Sequence, residues 1–347
     1  MPISTFYDPK QSMRDCTRTI ERAGELRSFE GRARINQISE SIKKSNIYNL
    51  VKPKDFGIEP IARVHSKKYI EFLKSASSLI ETSMPGMEYA PDTFPVTGNK
   101  TTISDGFFAQ LGKFALGSGT AIDEGTWTSA YASAQSAISA ADWSITFSKP
   151  SLALCRPAGH HASKEKFGGL CFLNNAAIAT EFALHEQCKR VAIVDIDVHH
   201  GNGTQDIFYD RSEVLYASIH IDPEACFPFY SGYSSEKGDG KGRGYNINAP
   251  LHKGAKIEDW LATFDAIADR IALFAPDLIV ISLGLDTHAD DPVGHFQLES
   301  KDFSAIGKAL SNLEPDAPKV FVLEGGYNIE ATIESMNRIF EQVNLSI

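Results

Sequence analysis

Asp197 and His199 stand two residues apart behind the apolar run Val191 to Ile196, and Asp286 stands behind a second run, Leu278 to Leu283. Two carboxylates and one imidazole suit a borderline divalent ion such as zinc, with ferrous iron also reasonable. Three protein donors leave a position open for water and substrate. If strand geometry persists past Ile196, Asp197 and His199 point to the same side. Taken singly, Asp197 reads as a turn cap and His199 and His200 as packed side chains; the grouping with Asp286 and a further histidine pair favours the metal. That pair, His160-His161, follows Pro157-Ala158-Gly159. Metal-assisted hydrolysis of an amide needs a group to take a proton from water and a group to give one to the leaving amine, and imidazole titrates in the range for both. Asp195 and Asn202 flank the ligand loop and are candidates to hold the far nitrogens of the two imidazoles. Tyr327 follows Glu324-Gly325-Gly326, so a glycine turn could aim its hydroxyl at an oxyanion, although Gly-Gly-Tyr alone is also an ordinary structural turn. Gly169, Leu170 and Phe227 are candidate walls of an apolar channel, and equally candidate core.

Five apolar runs end in such polar tails. Besides the two above, Ser151 to Leu154 leads to Cys155-Arg156, Val214 to Ile219 leads to His220, and Val320 to Leu323 leads to Glu324. All five read as buried strands, and in open α/β sheets ligands sit outside the carboxyl ends of parallel strands. Helical patterns fall between them: Arg32 to Ser45, Lys67 to Ile80 (with Tyr69, Ile70, Leu73 and Leu79 in helical spacing), Trp127 to Trp143, Asn174 to Glu186, Thr204 to Tyr209, Glu258 to Phe274, Ser304 to Asn312 and Ile329 to Val343. Alternation of this kind predicts an α/β fold with a mainly parallel central sheet and helices on both faces. Residues 83–106 break the pattern with Pro85-Gly86, Pro91 and Pro95, an irregular insert able to wall a pocket or pack on a second subunit. A Gly-rich stretch runs from Ser231 to Gly244. There is no repeat or linker, so residues 1–347 read as one catalytic domain.

The 347 residues carry 44 acidic against 34 basic side chains, a net charge of −10, which argues against a nucleic-acid partner and accords with a cationic ligand. Five scattered cysteines without a C-x-x-C pair indicate neither a disulfide framework nor a thiolate zinc site, and fit a reducing cytoplasm. The first residues lack the apolar stretch of a signal peptide, and no run approaches a membrane span.

The segments Arg156-Pro157-Ala158-Gly159-His160-His161-Ala162, Asp195 to Thr204, Ser282 to Asp286 and Glu324 to Tyr327, with Val64 to Tyr69, resemble the histone deacetylase superfamily over most of the chain. Within it the chain is most similar to the bacterial acetylpolyamine amidohydrolases, through Ala225-Cys226-Phe227-Pro228, Gly125-Thr126-Trp127 and the insert holding Phe94-Pro95-Val96. The resemblance implies a three-layer arginase/deacetylase-like fold and zinc on Asp197, His199 and Asp286. It implies His160 as general base backed by Asp195, His161 backed by Asn202, and Tyr327 on the scissile carbonyl. It further implies one structural potassium near Asp195, Asp197, His199, Ser218 and Ile219, a second near Phe208, Arg211, Val214 and Tyr245, and a homodimer formed through the insert. Two departures stand out: Leu170 replaces an aromatic residue facing Phe227, and Leu116-Gly117-Ser118-Gly119 lacks the acid that meets a distal ammonium, with Asp123 the nearest carboxylate in sequence. The expected activity is deacetylation of small cationic amines such as acetylated polyamines. Rival readings are a protein N-acetyl-lysine deacetylase or longer-chain deacylase, and a non-catalytic module that binds acetylated ligands. Too few extra carboxylates accompany the triad for a dinuclear arginase-type site.

Overall fold

The computed structural model describes residues 1–345 apart from 17, 22–23, 28 and 97–102. In chain order the elements are β1 (Ile3–Phe6), β2 (Arg18–Glu21), β3 (Gly24–Arg27), α1 (Arg32–Lys44), β4 (Tyr48–Val51), α2 (Glu59–Val64), α3 (Lys67–Ser83), α4 (Phe107–Lys113), α5 (Thr126–Phe147), β5 (Ser151–Ala153), α6 (Asn175–Glu186), β6 (Val191–Asp195), α7 (Asn202–Phe208), β7 (Val214–Ile221), β8 (Asn246–Leu251), α8 (Ile257–Phe274), β9 (Leu278–Leu283), α9 (Phe303–Asn312), β10 (Lys319–Leu323) and α10 (Ile329–Leu345). Eight strands make one parallel sheet in the order β4-β1-β5-β10-β9-β6-β7-β8, and β2 and β3 form a separate antiparallel pair. The five strands with polar tails, β5, β10, β9, β6 and β7, are adjacent in that order. Their tails therefore meet at one end of the sheet.

The pleat sorts the buried side chains into two cores. Val191 and Ile193 of β6 join Leu278 and Val280 of β9 on the face covered by α5 and α6. Ala192 and Val194, with Ile279 and Ile281, face α1, α8, α9 and α10. Because both faces are covered, the central strands are buried at every position, with near-continuous apolar runs rather than alternation. Helix α8 buries Trp260, Phe264, Ile267, Ile271 and Phe274 along one stripe. At about 1.5–3 kcal/mol per large apolar side chain, an upper bound, that stripe outweighs any capping contribution. Helix α5 instead buries Ala130, Ala134, Ala137 and Ala141, small residues that let it pass close to its neighbours, and Ser133 Oγ donates to Pro157 O at 2.9 Å, tying α5 to the histidine loop.

Some expectations change. Leu79 is 38% exposed and Ile80 takes the buried position, since α3 continues to Ser83 and the buried stripe is Tyr69, Ile70, Leu73, Ala76 and Ile80. Strand β7 runs to Ile221, so His220 is a strand residue and not a loop residue; its ring is occupied by Ser218 Oγ at 2.8 Å and Gly232 O at 2.9 Å. Strands β1, β4 and β8 and helices α2 and α4 carry no clear sequence signal, because each is too short to show a period. The insert is irregular where it is described, with one bridge from Tyr89 to Ile122; its positions 97–102 lie outside the described residues.

Candidate active site

Strand β6 ends at Asp195, so strand alternation does not carry Asp197 and His199 to one side. A turn does: Asp197 Oδ1 accepts the backbone N–H of His199 at 2.9 Å, and Asp195 Oδ1 accepts that of Asp197 at 3.2 Å. Asp286, three residues past β9, is held by Val198 N–H, which donates to its Oδ1 at 3.0 Å. Donor atoms of Asp197, His199 and Asp286 then lie within 4.8 Å of one another, with His199 Nδ1 3.2 Å from Asp197 Oδ1 and 3.3 Å from Asp286 Oδ2. The group fits a divalent ion. Asp286 Oδ2 is buried without a hydrogen-bond partner, and an unpaired buried carboxylate oxygen is costly unless a cation takes it. Space is reserved as well: a Cβ added to Gly325 would lie 2.2 Å from Asp286 Oδ2 and 2.6 Å from Asp197 Oδ2. Burial and the nearby Asp197 charge push the Asp286 carboxyl well above the ordinary carboxylate range, whereas Asp197, despite burial, is held far below it by His160 and His199. Two carboxylates this close cannot both stay charged cheaply without a positive centre between them.

The histidine pair sits beside this cluster with ring centroids 4.0 Å apart. His160 Nδ1 meets Asp195 Oδ2 at 3.1 Å, and its Nε2 lies 3.7 Å from Asp197 Oδ1. His161 Nδ1 meets Asn202 Oδ1 at 2.7 Å, so with that oxygen accepting, Nδ1 carries the proton and Nε2 is left as an acceptor. The two rings differ in proton affinity. Burial disfavours charge on His160, but Asp197 and Asp195 override it and raise the group to about 10. His161 is held well below the ordinary value by burial and by His160 and His199.

The turn 324–327 connects the other loops. Gly325 N–H donates to Asp197 Oδ2 at 2.9 Å, and Gly326 adopts φ +121°, a region that favours glycine. Tyr327 follows, half-buried, with the Arg34 guanidinium 5.1 Å from its ring centre; burial keeps its hydroxyl protonated well past its ordinary range. Arg34 also donates to Gly326 O at 2.6 Å and Glu324 O at 2.7 Å. Glu324, present in the motif but given no role from sequence, is fully buried. Its Oε2 accepts the backbone N–H groups of Gly159 at 2.7 Å and His160 at 3.2 Å, and Ser282 Oγ donates to its Oε1 at 3.2 Å. Burial lifts this carboxyl to about 7. A charged residue directly behind the apolar run Val320 to Leu323 was the available signal, since such a group persists in a core only when several donors meet it.

Phe227 lies against His161, ring centroids 4.8 Å apart, and 6.5 Å from His199. Gly169, at φ +54°, leaves room for the imidazole of His161, because a Cβ there would come within 2.3 Å of His161 Cδ2. Leu170, at φ +65°, donates its N–H to Thr120 Oγ1 at 2.9 Å and is partly exposed. Asp123 is not free to meet a substrate: its Oδ2 accepts Asp15 N–H at 2.8 Å and its Oδ1 accepts the Thr126 hydroxyl at 2.8 Å. Among the residues expected around monovalent cations, Asp195 and Ser218 are register partners on β6 and β7, with Ile219 next to Ser218. Phe208 O accepts Arg211 N–H at 3.1 Å and Tyr245 O accepts Tyr216 N–H at 2.9 Å, while Val214 opens β7.

The sequence matches the histone deacetylase domain over residues 28–343. It is 41% identical over 313 residues to acetylpolyamine amidohydrolase 1 of Pseudomonas aeruginosa, covering 87% of this chain and 88% of that one. It is 38% identical over 301 residues to the acetylpolyamine amidohydrolase of Mycoplana ramosa, covering 87% and 88%. The crystal structure of an acetylpolyamine aminohydrolase from Burkholderia pseudomallei superposes with a TM-score of 0.92 at 35% identity, covering 99% of this chain and 98% of that one. On the domain match, the relatives and the fold together, this chain belongs to the histone deacetylase family.

Proposed function

We propose that this histone deacetylase-family hydrolase removes acetyl groups from small cationic amines such as acetylated polyamines or diamines. The observation that carries the reading is the cluster of two buried aspartates, Asp197 and Asp286, with the partly buried His199, and two imidazoles and a tyrosine turn packed around it. The relatives named acetylpolyamine amidohydrolases support the substrate class. A zinc or ferrous ion on those three residues would polarise the acetyl carbonyl and make a water molecule acidic. The protein's own groups do the rest. His160 is the base that takes the proton of the attacking water: Asp195 on its Nδ1 fixes the ring, leaving Nε2 on the side of Asp197, and the Asp197 charge that raises its proton affinity is the one a bound cation would offset. His161, with Asn202 on Nδ1 and Nε2 open, lies against His160 where it can hand a proton on to the departing amine. Tyr327 donates to the carbonyl oxygen as negative charge develops there. Phe227 and Leu170 flank the acyl group's approach, with Gly169 making room for His161.

The reading extends to a monovalent cation near Asp195 and Ser218 and another near Phe208, Arg211, Val214 and Tyr245, to one catalytic domain over 1–347, and to a cytoplasmic protein. Among the described residues no helix is long and apolar enough to cross a membrane. A homodimer through the insert is supported by exposed apolar residues there and just after it: Met87, Phe94, Val96 and Phe108 are 51%, 41%, 62% and 66% exposed. The protein N-acetyl-lysine alternative draws on Leu170 and on the engaged Asp123, which together leave a distal ammonium less well recognised.

The deciding experiment is acetate release by metal-reconstituted protein from acetylputrescine, acetylspermidine and an acetyl-lysine peptide. Higher kcat/KM for the free amines is expected. A preference for the peptide would move the substrate class to proteins, and bound metal with no turnover of any of the three would leave a binding module.

A further inference from the structure

Asp291 lies five residues beyond Asp286, in the same loop, and is only 6% exposed. Its Oδ2 accepts two successive backbone N–H groups, from Tyr327 at 2.6 Å and Asn328 at 3.1 Å, and its Oδ1 accepts Val293 N–H at 3.0 Å. Bonds of this kind to a carboxylate are short and strong because the acceptor is charged. The loop that presents the carboxylate is itself closed, with Asp291 N–H donating to His288 O at 3.1 Å and Gly294 N–H donating to Asp291 O at 3.2 Å. On the other side of the contact, Tyr327 follows Gly326, whose φ of +121° lies in the region that favours glycine. Next comes Asn328, whose side chain accepts Ala331 N–H at 3.2 Å at the start of α10. The Arg34 guanidinium lies against the Tyr327 ring and its Nε donates to Gly326 O at 2.6 Å, so Arg34 holds the carbonyl side of the Gly326–Tyr327 peptide while Asp291 holds its N–H side.

We propose that Asp291 is a positioning residue for the reaction: its carboxylate clamps the Tyr327 backbone to the loop that carries Asp286 and so holds the tyrosine hydroxyl at a set distance from the metal-ligand cluster. The inference rests on the reading of Tyr327 as the donor to the carbonyl oxygen. The clamp bears on the reaction through the turn that carries Tyr327, which it grips at Tyr327 N–H and Asn328 N–H. Removing it leaves Asp197, His199 and Asp286 with the backbone bonds that hold them, none of which involves Asp291.

The test is a mutant cycle on the metal-reconstituted full chain, using Asp291→Ala, Asp291→Asn, Tyr327→Phe and the two combinations, with kcat, KM and metal content measured for each. Asp291→Ala should lower kcat by ~10²-fold, the effect of an ångström-scale misplacement, with KM and metal content unchanged. Asp291→Asn, which keeps one acceptor oxygen but sets an NH2 group against a backbone donor, should fall between it and the parent. In the Tyr327→Phe background each Asp291 change should cost at least about tenfold less than it does alone, far beyond the roughly twofold scatter of independent sites. Costs that combine closer to additively than that, or loss of metal from the Asp291 variants, overturn the clamp. If Asp291→Ala does not fold, the Asp291→Asn pair decides by the same criterion. Unchanged turnover in Tyr327→Phe alone refutes the reading of Tyr327 itself, so the two failures are distinguishable.

Discussion

Replacing Gly325 with alanine should empty the metal site without unfolding the protein. Gly325 does not occupy the left-handed region, so an alanine backbone is tolerated there. The new methyl, however, would stand 2.2 Å from Asp286 Oδ2 and 2.6 Å from Asp197 Oδ2, against an ordinary contact beginning near 3.4 Å. The two carboxylates must retreat by about 1 Å, several times the ~0.2 Å tolerance of metal–ligand distances. The nearest calibrated effect is the disturbance of groups that orient ligands, which costs about 10–100-fold in affinity, or roughly 1.4–2.7 kcal/mol; displacing the ligands themselves should cost at least that. Metal content after dialysis against a graded chelator measures the loss, circular dichroism verifies the fold, and acetate release should fall with occupancy. Gly117→Ala is a fit control for metal content, because its Cβ meets nothing within 4 Å. If Gly325→Ala retains one ion per chain at parental affinity, the cradle between Asp197 and Asp286 is not where the ion sits.

Three further outcomes are expected. Ala275 closes α8 at φ 50° in an exposed position, so Ala275→Gly should relieve left-handed strain and raise stability by about 1 kcal/mol in a reversible denaturant melt; a lower midpoint would contradict this. His65 is buried, accepts Asn174 N–H at Nε2 at 2.9 Å, and burial lowers it to about 4. A depressed histidine leaves the unfolded chain binding the extra proton first, so its contribution is intact above pH ~6.5 and lost on acidification towards pH ~4, by up to about 3 kcal/mol. His65→Gln should therefore flatten the fall in stability across that window relative to the parent, and an unchanged slope would show that His65 is not the group responsible. Leu170→Tyr should raise kcat/KM for acetylspermidine by about 2–5-fold through an added aromatic face for the cationic chain, while leaving a neutral acetylated amine unaffected; equal gains for both would point to packing instead.

Much of this architecture is written in residue order because its physics is local. Apolar runs of four to six residues alternating with amphipathic stretches declare a covered parallel sheet, and the polar tails of five runs mark which end of it is equipped. Aspartates, histidines, glycines and a tyrosine at the expected spacings identify the family and nominate Asp197, His199, Asp286, His160, His161 and Tyr327. Short edge strands escape notice, because four residues such as Ile3 to Phe6 carry too little pattern to separate from a loop. What depends on distance in space stays hidden. Sequence offers Asp123 as a nearby acid, and only folding shows it engaged by Asp15 and Thr126. Sequence places His220 at a loaded strand end, and only the strand's full length turns it inward to Ser218 and Gly232. Glu324 and Asp291 look alike in one dimension, two acids among many, until one is found holding Gly159 and His160 and the other Tyr327 and Asn328. Their partners lie 165 and 36 residues away along the chain for the closest bond of each, so the choice of which N–H groups they meet belongs to the packed sheet and its loops.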